Sequence, residues 1–377
     1  MKKIGILGGG QLGRMMIQAA LSYDVEIHIL DPDPEAPCRS FCQYFTYGDF
    51  GDFDTVFQFG KDLDAITIEI EKVNVDALDS LLEIGKTVFP QPSVIRTIQD
   101  KRTQKNFYQA QNIKTPPFVL VDRPEDVAKN QSFLPAFYKV GKGGYDGKGV
   151  FKLDKLEDLP PDVSFPGLLE KKVAIEKEIS VIIARNKEGD VQVYPPVESV
   201  FDPVLNLVDY LLAPANISSE LAQEAEDLAR QVIASLDMVG LLAIEMFLDT
   251  QGQLWVNEAA PRAHNSGHHS IEANYTSQFE QLIRALLDLP LGSTQTREKA
   301  AMVNLIGEKG APGPTFYQGL DQIMQREGIF VHLYGKRQCK PGRKMGHVTI
   351  LHKDKTQLIE NIEFVKATLK VQADSSK

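Results

Sequence analysis

Two acids on neighbouring apolar runs are the first feature that could do chemistry. Glu245 lies in Leu241 to Leu248, Asn257 and Glu258 lie in Leu254 to Ala259, and Asp249-Thr250-Gln251-Gly252-Gln253 joins the runs. If they pair as a hairpin about Gln251, position 245 falls opposite 257 or 258. Directly opposed residues share a sheet face, so two carboxylates converge. Their neighbours Leu241, Leu242, Ala243, Ile244, Met246 and Phe247 imply burial. Bare carboxylates so held would repel, and one would stay protonated. A divalent cation removes the conflict. Magnesium suits a site of few carboxylates completed by substrate phosphates. The alternative is an acid pair on the solvent side of a hairpin.

Two further segments could serve such a cation. Lys139 to Gly149 reads KVGKGGYDGKG and joins two strand-like runs. A glycine-rich hairpin can fold over a triphosphate, with backbone amides and Lys139 or Lys148 offsetting its charge. It is not a Walker loop; taken alone, a glycine-rich hairpin is more often a solvated surface hairpin. Directly after the acids comes Ala260-Pro261-Arg262-Ala263-His264-Asn265-Ser266-Gly267-His268-His269. Arg262 suits an anion and His264 a proton transfer. A metal reading of His268 and His269 is weaker, since neighbours in an extended stretch point opposite ways. The basic run from Lys336 to Lys344, with Arg343, could hold a substrate phosphate, although charge runs are commonly solvated faces.

Near the start, Gly8-Gly9-Gly10-Gln11-Leu12-Gly13 follows an apolar run, and Asp31 ends the next one. This G-x-G-x-x-G spacing fits a dinucleotide site at a helix N-terminus. It also fits a plain strand-to-helix turn. Pro32 and Pro34 would crowd an adenosine ribose beside Asp31.

The elements that must position these residues follow from periodicity. Lys3 to Gly8, Glu26 to Leu30, Ala65 to Ile70 and Lys86 to Phe89 read as strands. Gly13 to Leu21 reads as a helix. Together they predict a parallel, doubly wound α/β unit over residues 1–95. A helix over Ser93 to Gln111 follows. Then come strands at 136–140, 150–153, 168–173, 179–185 and 191–197, an amphipathic helix over 218–238, the acid-bearing hairpin, and a helix over 275–287. Strands near 302–306 and 347–351 precede a last helix.

The chain has 377 residues, enough for two or three linked domains. A net charge of -10 argues against a general nucleic-acid binder. No run is long and apolar enough to span a membrane. Three cysteines without a Cys-x-x-Cys suggest neither a zinc site nor a disulfide frame, and a reducing cytoplasm fits.

Taken together, KVGKGGYDGKG, the Glu245/Asn257-Glu258 pair and APRAHNSGHHS resemble the 5-(carboxyamino)imidazole ribonucleotide synthases, ATP-grasp carboxylases of purine biosynthesis. GGGQLGRM, LDPDPEAPC, TIEIEKV, DKRTQK and PGRKMGH extend the likeness over essentially the whole chain. The resemblance implies a mixed α/β and α+β protein. A Rossmann-like pre-ATP-grasp domain would occupy 1–95, an ATP-grasp domain 96–295 with a mobile lid around 107–170, and a small β-rich C-terminal domain 296–377. It implies a homodimer that carboxylates 5-aminoimidazole ribonucleotide with bicarbonate and ATP, through carboxyphosphate. The cofactor would be magnesium, with manganese as a substitute.

It also implies roles. Lys101 and Lys139 would hold ATP phosphates beneath the loop Gly144, Tyr145, Asp146, Gly147, Lys148, Gly149 and Val150. Glu170, Lys171, Lys172 and Val173 would form the adenine hinge, and Glu178 would hold the ribose. Asn257 would join the ATP site, and Glu245 and Glu258 would bind the metal. Gln11, Leu12, Glu71, Arg262, His264, Asn265, Ser266, Lys336, Arg343 and Lys344 would face the ribonucleotide. Asp146, Arg262 and His264 would be catalytic, with His264 accepting the amine proton. The chain departs from the family pattern at Phe201 (often histidine), Lys72 (commonly asparagine) and His269 (usually aromatic). The rivals are another ATP-grasp ligase such as a formate-dependent glycinamide ribonucleotide transformylase, an NAD-dependent oxidoreductase, and a nucleotide-binding module without turnover.

Overall fold

The computed structural model describes residues 1–144, 149–201 and 208–374. Tyr145, Asp146, Gly147 and Lys148 therefore lie outside the described residues.

The N-terminal unit is a five-stranded parallel sheet. Its order is Tyr44–Tyr47, Val25–Asp31, Lys2–Leu7, Ala65–Ile68, Thr87–Val88. The central strand is apolar from Ile4 to Leu7 and buried throughout, as a parallel strand covered on both faces must be. Helix Gln11–Ala20 starts directly after the glycines. Met15, Met16 and Ile17 of this helix share a core with Phe279, Leu282 and Ile283 of helix Gln278–Leu286, so this unit is welded to the next.

The predicted helix over 93–111 is two helices, Pro92–Ile98 and Lys101–Ala110. Asp100 breaks it by capping the second one, its carboxylate accepting from the Arg102 N–H at 2.9 Å. The break frees the Lys101 N–H to donate to the Gly141 carbonyl at 2.8 Å. The root of the glycine loop is thereby tied to a helix start.

The segment expected to form the lid contains a four-stranded antiparallel sheet in the order Phe118–Val121, Gly167–Lys171, Ala136–Val140, Val150–Leu153. Val121, Val127, Tyr138, Leu153 and Leu169 give it a small core of its own. A body with its own core can shift as one piece.

The largest sheet has nine strands and is antiparallel. Its path runs Leu254–Ala260, Gly240–Asp249, Ile175–Arg185, Val197–Phe201, Val208–Ala213, Ala300–Ile306, Lys344–Leu351, Ile329–Leu333; Val191–Val193 pairs with Ile175–Arg185 off the path. Tyr210 pairs with Val303, so the sheet continues from the acid-bearing hairpin into the C-terminal region without a break. Helix Ser219–Ser235 covers one face, burying Ala225, Ala229, Val232 and Ile233 against Ile179, Val181 and Ile183. The opposite face carries Glu178, Ser180 and Ile182 by strand alternation.

Strand Tyr44–Tyr47 and helices Phe53–Gly60 and Val75–Glu83 are additions to the expected set. Tyr44–Tyr47 is a largely exposed edge strand, so it shows no apolar alternation.

Candidate active site

The hairpin register answers which residue opposes Glu245. Glu245 pairs with Glu258, while Met246 already pairs with Val256. Asn257 is the extra residue of a β-bulge. A bulge lets two successive side chains lean to one side. Asn257 and Glu258 accordingly both face the cleft. Asn257 Oδ1 accepts from Lys139 Nζ at 2.9 Å, and Glu258 is ion-paired with Lys101.

The two acids differ electrostatically. The Lys101 ammonium holds Glu258 below the usual carboxylate range. Burial pushes Glu245 upward, and the charges of Glu258 and Glu178 add to it. Burial likewise raises Glu178 to about 7. Such clustered acids call for a cation. Among the described residues no group of three His, Cys, Asp or Glu could hold a metal alone. A pair of carboxylates completed by phosphate oxygens is a donor set that magnesium favours. The residues fit that ion.

Behind the acids lies a buried ion cluster. Glu170 sits between Lys139 (2.6 Å) and Lys105 (2.5 Å), and the side chains of Lys105 and Glu170 are both 3% exposed. Burial would raise Glu170, but the two ammonium groups overcome it and its pKa falls. Burial lowers Lys105 to about 8 against the pull of Glu170. Lys105 also donates to Thr115 Oγ1 at 2.5 Å, and Thr115 in turn donates to the Val256 carbonyl at 2.7 Å. Lys105 was not singled out in the sequence. Its spacing of four from Lys101 was the available signal, since positions i and i+4 share a helix face.

The expected hinge residues separate. Glu170 points into the ion cluster, whereas Lys171 Nζ donates to the Phe133 carbonyl at 2.9 Å and Lys172 is exposed. Val173 lies just past the end of strand Gly167–Lys171. Gly144 and Gly149 lie on either side of residues 145–148, Val150 starts strand Val150–Leu153, and Gly149 has φ +79, which favours glycine.

The Gly8–Gly13 turn is filled by the chain's own carboxylates. Asp31 accepts from the Gly9 N–H at 2.6 Å, and Glu69 accepts from the Gly10 and Leu12 N–H groups at 2.5 and 3.0 Å. A Cβ on Gly10 would meet Glu69 at 2.5 Å. The amides that would cradle a pyrophosphate are thus occupied, which removes the basis for an NAD site. Leu12 turns its side chain into the core. Gln11 is half-buried at the helix start.

Arg262 and Glu71 meet at 2.8 and 3.1 Å, joining the parallel unit to the segment after the hairpin. Arg262 Nε is buried without a hydrogen-bond partner among the described residues. His264 Nε2 lies 3.4 Å from Glu245 Oε1. Asn265 instead forms a reciprocal amide pair with Asn304 (2.9 and 3.1 Å), and Ser266 is buried. Lys336 Nζ donates to the Lys344 carbonyl at 2.7 Å, and the Arg343 guanidinium to the Gln338 carbonyl at 3.0 Å. Lys344 is near enough to Glu245 to oppose its upward shift. Phe201 ends strand Val197–Phe201.

His268 and His269 lie on a helical turn, not the extended stretch expected, and both are buried. His268 faces His347 (centroids 4.7 Å apart), which stacks on His332 at 4.4 Å. His332 Nε2 is 2.7 Å from Glu272. These imidazoles pack the hairpin region against the C-terminal strands.

Two sheets closing on a cleft, with opposed acids on one and a glycine loop on the other, define an ATP-grasp protein. Residues 106–279 match the ATP-grasp domain, 1–99 the ribonucleotide synthetase preATP-grasp domain, and 300–361 the phosphoribosylaminoimidazole carboxylase C-terminal domain. The chain is 33% identical over 366 residues to N5-carboxyaminoimidazole ribonucleotide synthase of Bacillus subtilis, covering 95% of this chain and 94% of that one. It is 35% identical to the chloroplastic phosphoribosylaminoimidazole carboxylase of Vigna aconitifolia, covering 95% of this chain but 66% of that longer protein. The crystal structure of N5-carboxyaminoimidazole ribonucleotide synthetase from Thermotoga maritima superposes with a TM-score of 0.91 at 39% identity, covering 99% of this chain and 100% of that one. The chain belongs to the N5-carboxyaminoimidazole ribonucleotide synthase family.

Proposed function

We propose that the chain uses ATP to carboxylate 5-aminoimidazole ribonucleotide with bicarbonate, giving N5-carboxyaminoimidazole ribonucleotide, ADP and phosphate in purine biosynthesis. The observation that carries this is the opposed pair Glu245 and Glu258, with Lys101, Lys139 and Asn257 beside it and a glycine loop rooted at Lys139. When bound, magnesium would be held by Glu245 and Glu258 and would neutralise phosphate charge.

The side chains divide the remaining work. Lys101 and Lys139 hold phosphates, and the loop 144–150 covers them. Glu170 orients Lys139, and the backbone of Lys171, Lys172 and Val173 borders the adenine. Glu178 receives the ribose. Bicarbonate is a poor electrophile, and phosphorylation makes it carboxyphosphate. That species hydrolyses readily, so the lid's service is to exclude water. Arg262 holds the anionic intermediate, and Gln11, Glu71, His264, Lys336, Arg343 and Lys344 surround the ribonucleotide. The working unit is a cytoplasmic homodimer with domains dividing near residues 95 and 295. Among the described residues no helix is long and apolar enough to cross a membrane.

The test is phosphate release from ATP with and without aminoimidazole ribonucleotide and bicarbonate. Release that requires both supports the reading. Release that ignores them but answers to glycinamide ribonucleotide and formate selects the transformylase. ATP binding without turnover selects a binding module.

A further inference from the structure

Ser180 lies on strand Ile175–Arg185, directly opposite Glu245 on the neighbouring strand. It is 2% exposed, and its Oγ lies 2.8 Å from Ser266 Oγ. Ser266 Oγ lies 2.8 Å from His264 Nδ1. The backbone N–H of Ser266 reaches the same Nδ1 at 3.3 Å. An N–H can only donate, so Nδ1 presents a lone pair and carries no proton. The Ser266 hydroxyl then donates to Nδ1 as well, and Ser180 donates to Ser266. With Nδ1 accepting, the ring proton sits on Nε2, the atom 3.4 Å from Glu245. Turning the ring to exchange the two nitrogens would break both Ser266 contacts to Nδ1. Gln278, fully buried, grips the His264 backbone on both sides, accepting from its N–H at 2.9 Å and donating to its carbonyl at 2.7 Å.

We propose that Ser180 and Ser266 are positioning residues that lock His264 in its Nε2–H tautomer, so that His264 meets the reaction centre as a hydrogen-bond donor to an anionic oxygen. This rests on the ligase reading above and replaces the proton-accepting role suggested by residue type alone. The species to be held there, bicarbonate, carboxyphosphate and the transferred phosphoryl group, all present anionic oxygens. A fixed donor aimed at developing charge serves such a reaction directly. The proton shed by the amine is then taken by the phosphate that leaves carboxyphosphate as the new carbon–nitrogen bond forms.

The experiment is a long-range proton–nitrogen correlation spectrum of the full-length protein with nitrogen-15 histidine, at a pH of about 8, where an ordinary imidazole is neutral. Only seven histidines contribute, and His264→Gln assigns the signal. The expected pattern is a protonated Nε2 and a bare Nδ1. A protonated Nδ1, an average of both tautomers or a doubly protonated ring overturns the proposal. In Ser180→Ala the pattern shifts toward a mixture, and ribonucleotide-dependent kcat falls by about fivefold, the scale of one lost hydrogen bond, with KM for ATP unchanged. Ser180→Thr, which keeps the hydroxyl, restores both. Should Ser180→Ala leave tautomer and kcat untouched, Ser180 has no part in the lock. The spectrum needs no turnover, so its failure leaves the ligase reading standing. Conversely, wild-type protein that releases no ribonucleotide-dependent phosphate refutes the ligase reading whatever the tautomer.

Discussion

Glu258 stands directly across the hairpin from Glu245, yet it shares its face with its own neighbour Asn257. Only the bulge makes this possible, because in a regular strand Asn257 would point to the helix side. One irregular residue thus delivers an acid to Lys101 and an amide to Lys139. Glu258→Gln keeps the shape and the bulge but removes the charge that pairs with Lys101 and that the proposed cation would need. ADP formation is expected to fall by at least about 100-fold, as when a charge-stabilising group is removed. Circular dichroism and the unfolding midpoint should remain close to wild type. Near-normal ADP formation in this variant would remove the metal assignment.

Lys105 is expected to matter for a different reason. With Glu170 it forms a buried pair at 2.5 Å, each side chain 3% exposed. Removing one member leaves the other desolvated with less compensation. Lys105→Met should therefore destabilise the fold by about 3 kcal/mol in urea unfolding. Lys105→Met combined with Glu170→Gln should recover part of that loss, because no carboxylate is then stranded. Strict additivity of the two single changes would show that the pair is not coupled.

Much of this was legible from residue types and spacing. The parallel unit announced itself through Ile4 to Leu7 and the glycine turn, and the hairpin through its apolar runs about Gln251. What stayed hidden has physical causes. The bulge at Asn257 is a matter of register, which alternation alone leaves open by one residue. The break at Asp100 is a capping choice inside a continuous helical pattern. Glu69, Asp31 and Glu71 are acids whose targets lie on distant segments, so no local spacing shows that two fill the glycine turn and the third binds Arg262. Ser180 lies in an apolar strand as a single small polar residue, and nothing near it in sequence marks its partner Ser266.

Arg262 tests the proposed ribonucleotide contact. Its guanidinium bridges both oxygens of Glu71 and keeps a buried Nε without a hydrogen-bond partner among the described residues. Lysine carries the charge but not the planar fork. Arg262→Lys should raise KM for the ribonucleotide by about tenfold, roughly 1.4 kcal/mol, while KM for ATP changes little. The measurement is initial rate against each substrate in turn. An equal rise in both constants would place Arg262 in the frame of the cleft and not at the ribonucleotide.

The buried histidines set how the fold answers to acid. Burial holds His269 down at about 4, and His268 and His347 lie well below the ordinary imidazole range for the same reason. In the unfolded chain each would titrate near 6.5. Above that pH neither state binds the proton, and these groups do not change stability. As pH falls below it, the unfolded chain gains protons that the folded chain refuses, so stability drops until the folded-state pKa is passed. For His269, which is 4% exposed, the full loss is about 3 kcal/mol, spread between about pH 6.5 and 4. His269 Nδ1 is also buried without a hydrogen-bond partner among the described residues. His269→Phe removes both burdens, and an aromatic ring is what the family resemblance places there. Its urea midpoint should match or exceed the parent's at neutral pH and exceed it by a widening margin as pH falls toward 4.5. Parallel midpoint curves for the two proteins across that range would mean that His269 takes up its proton as readily inside the fold as outside it.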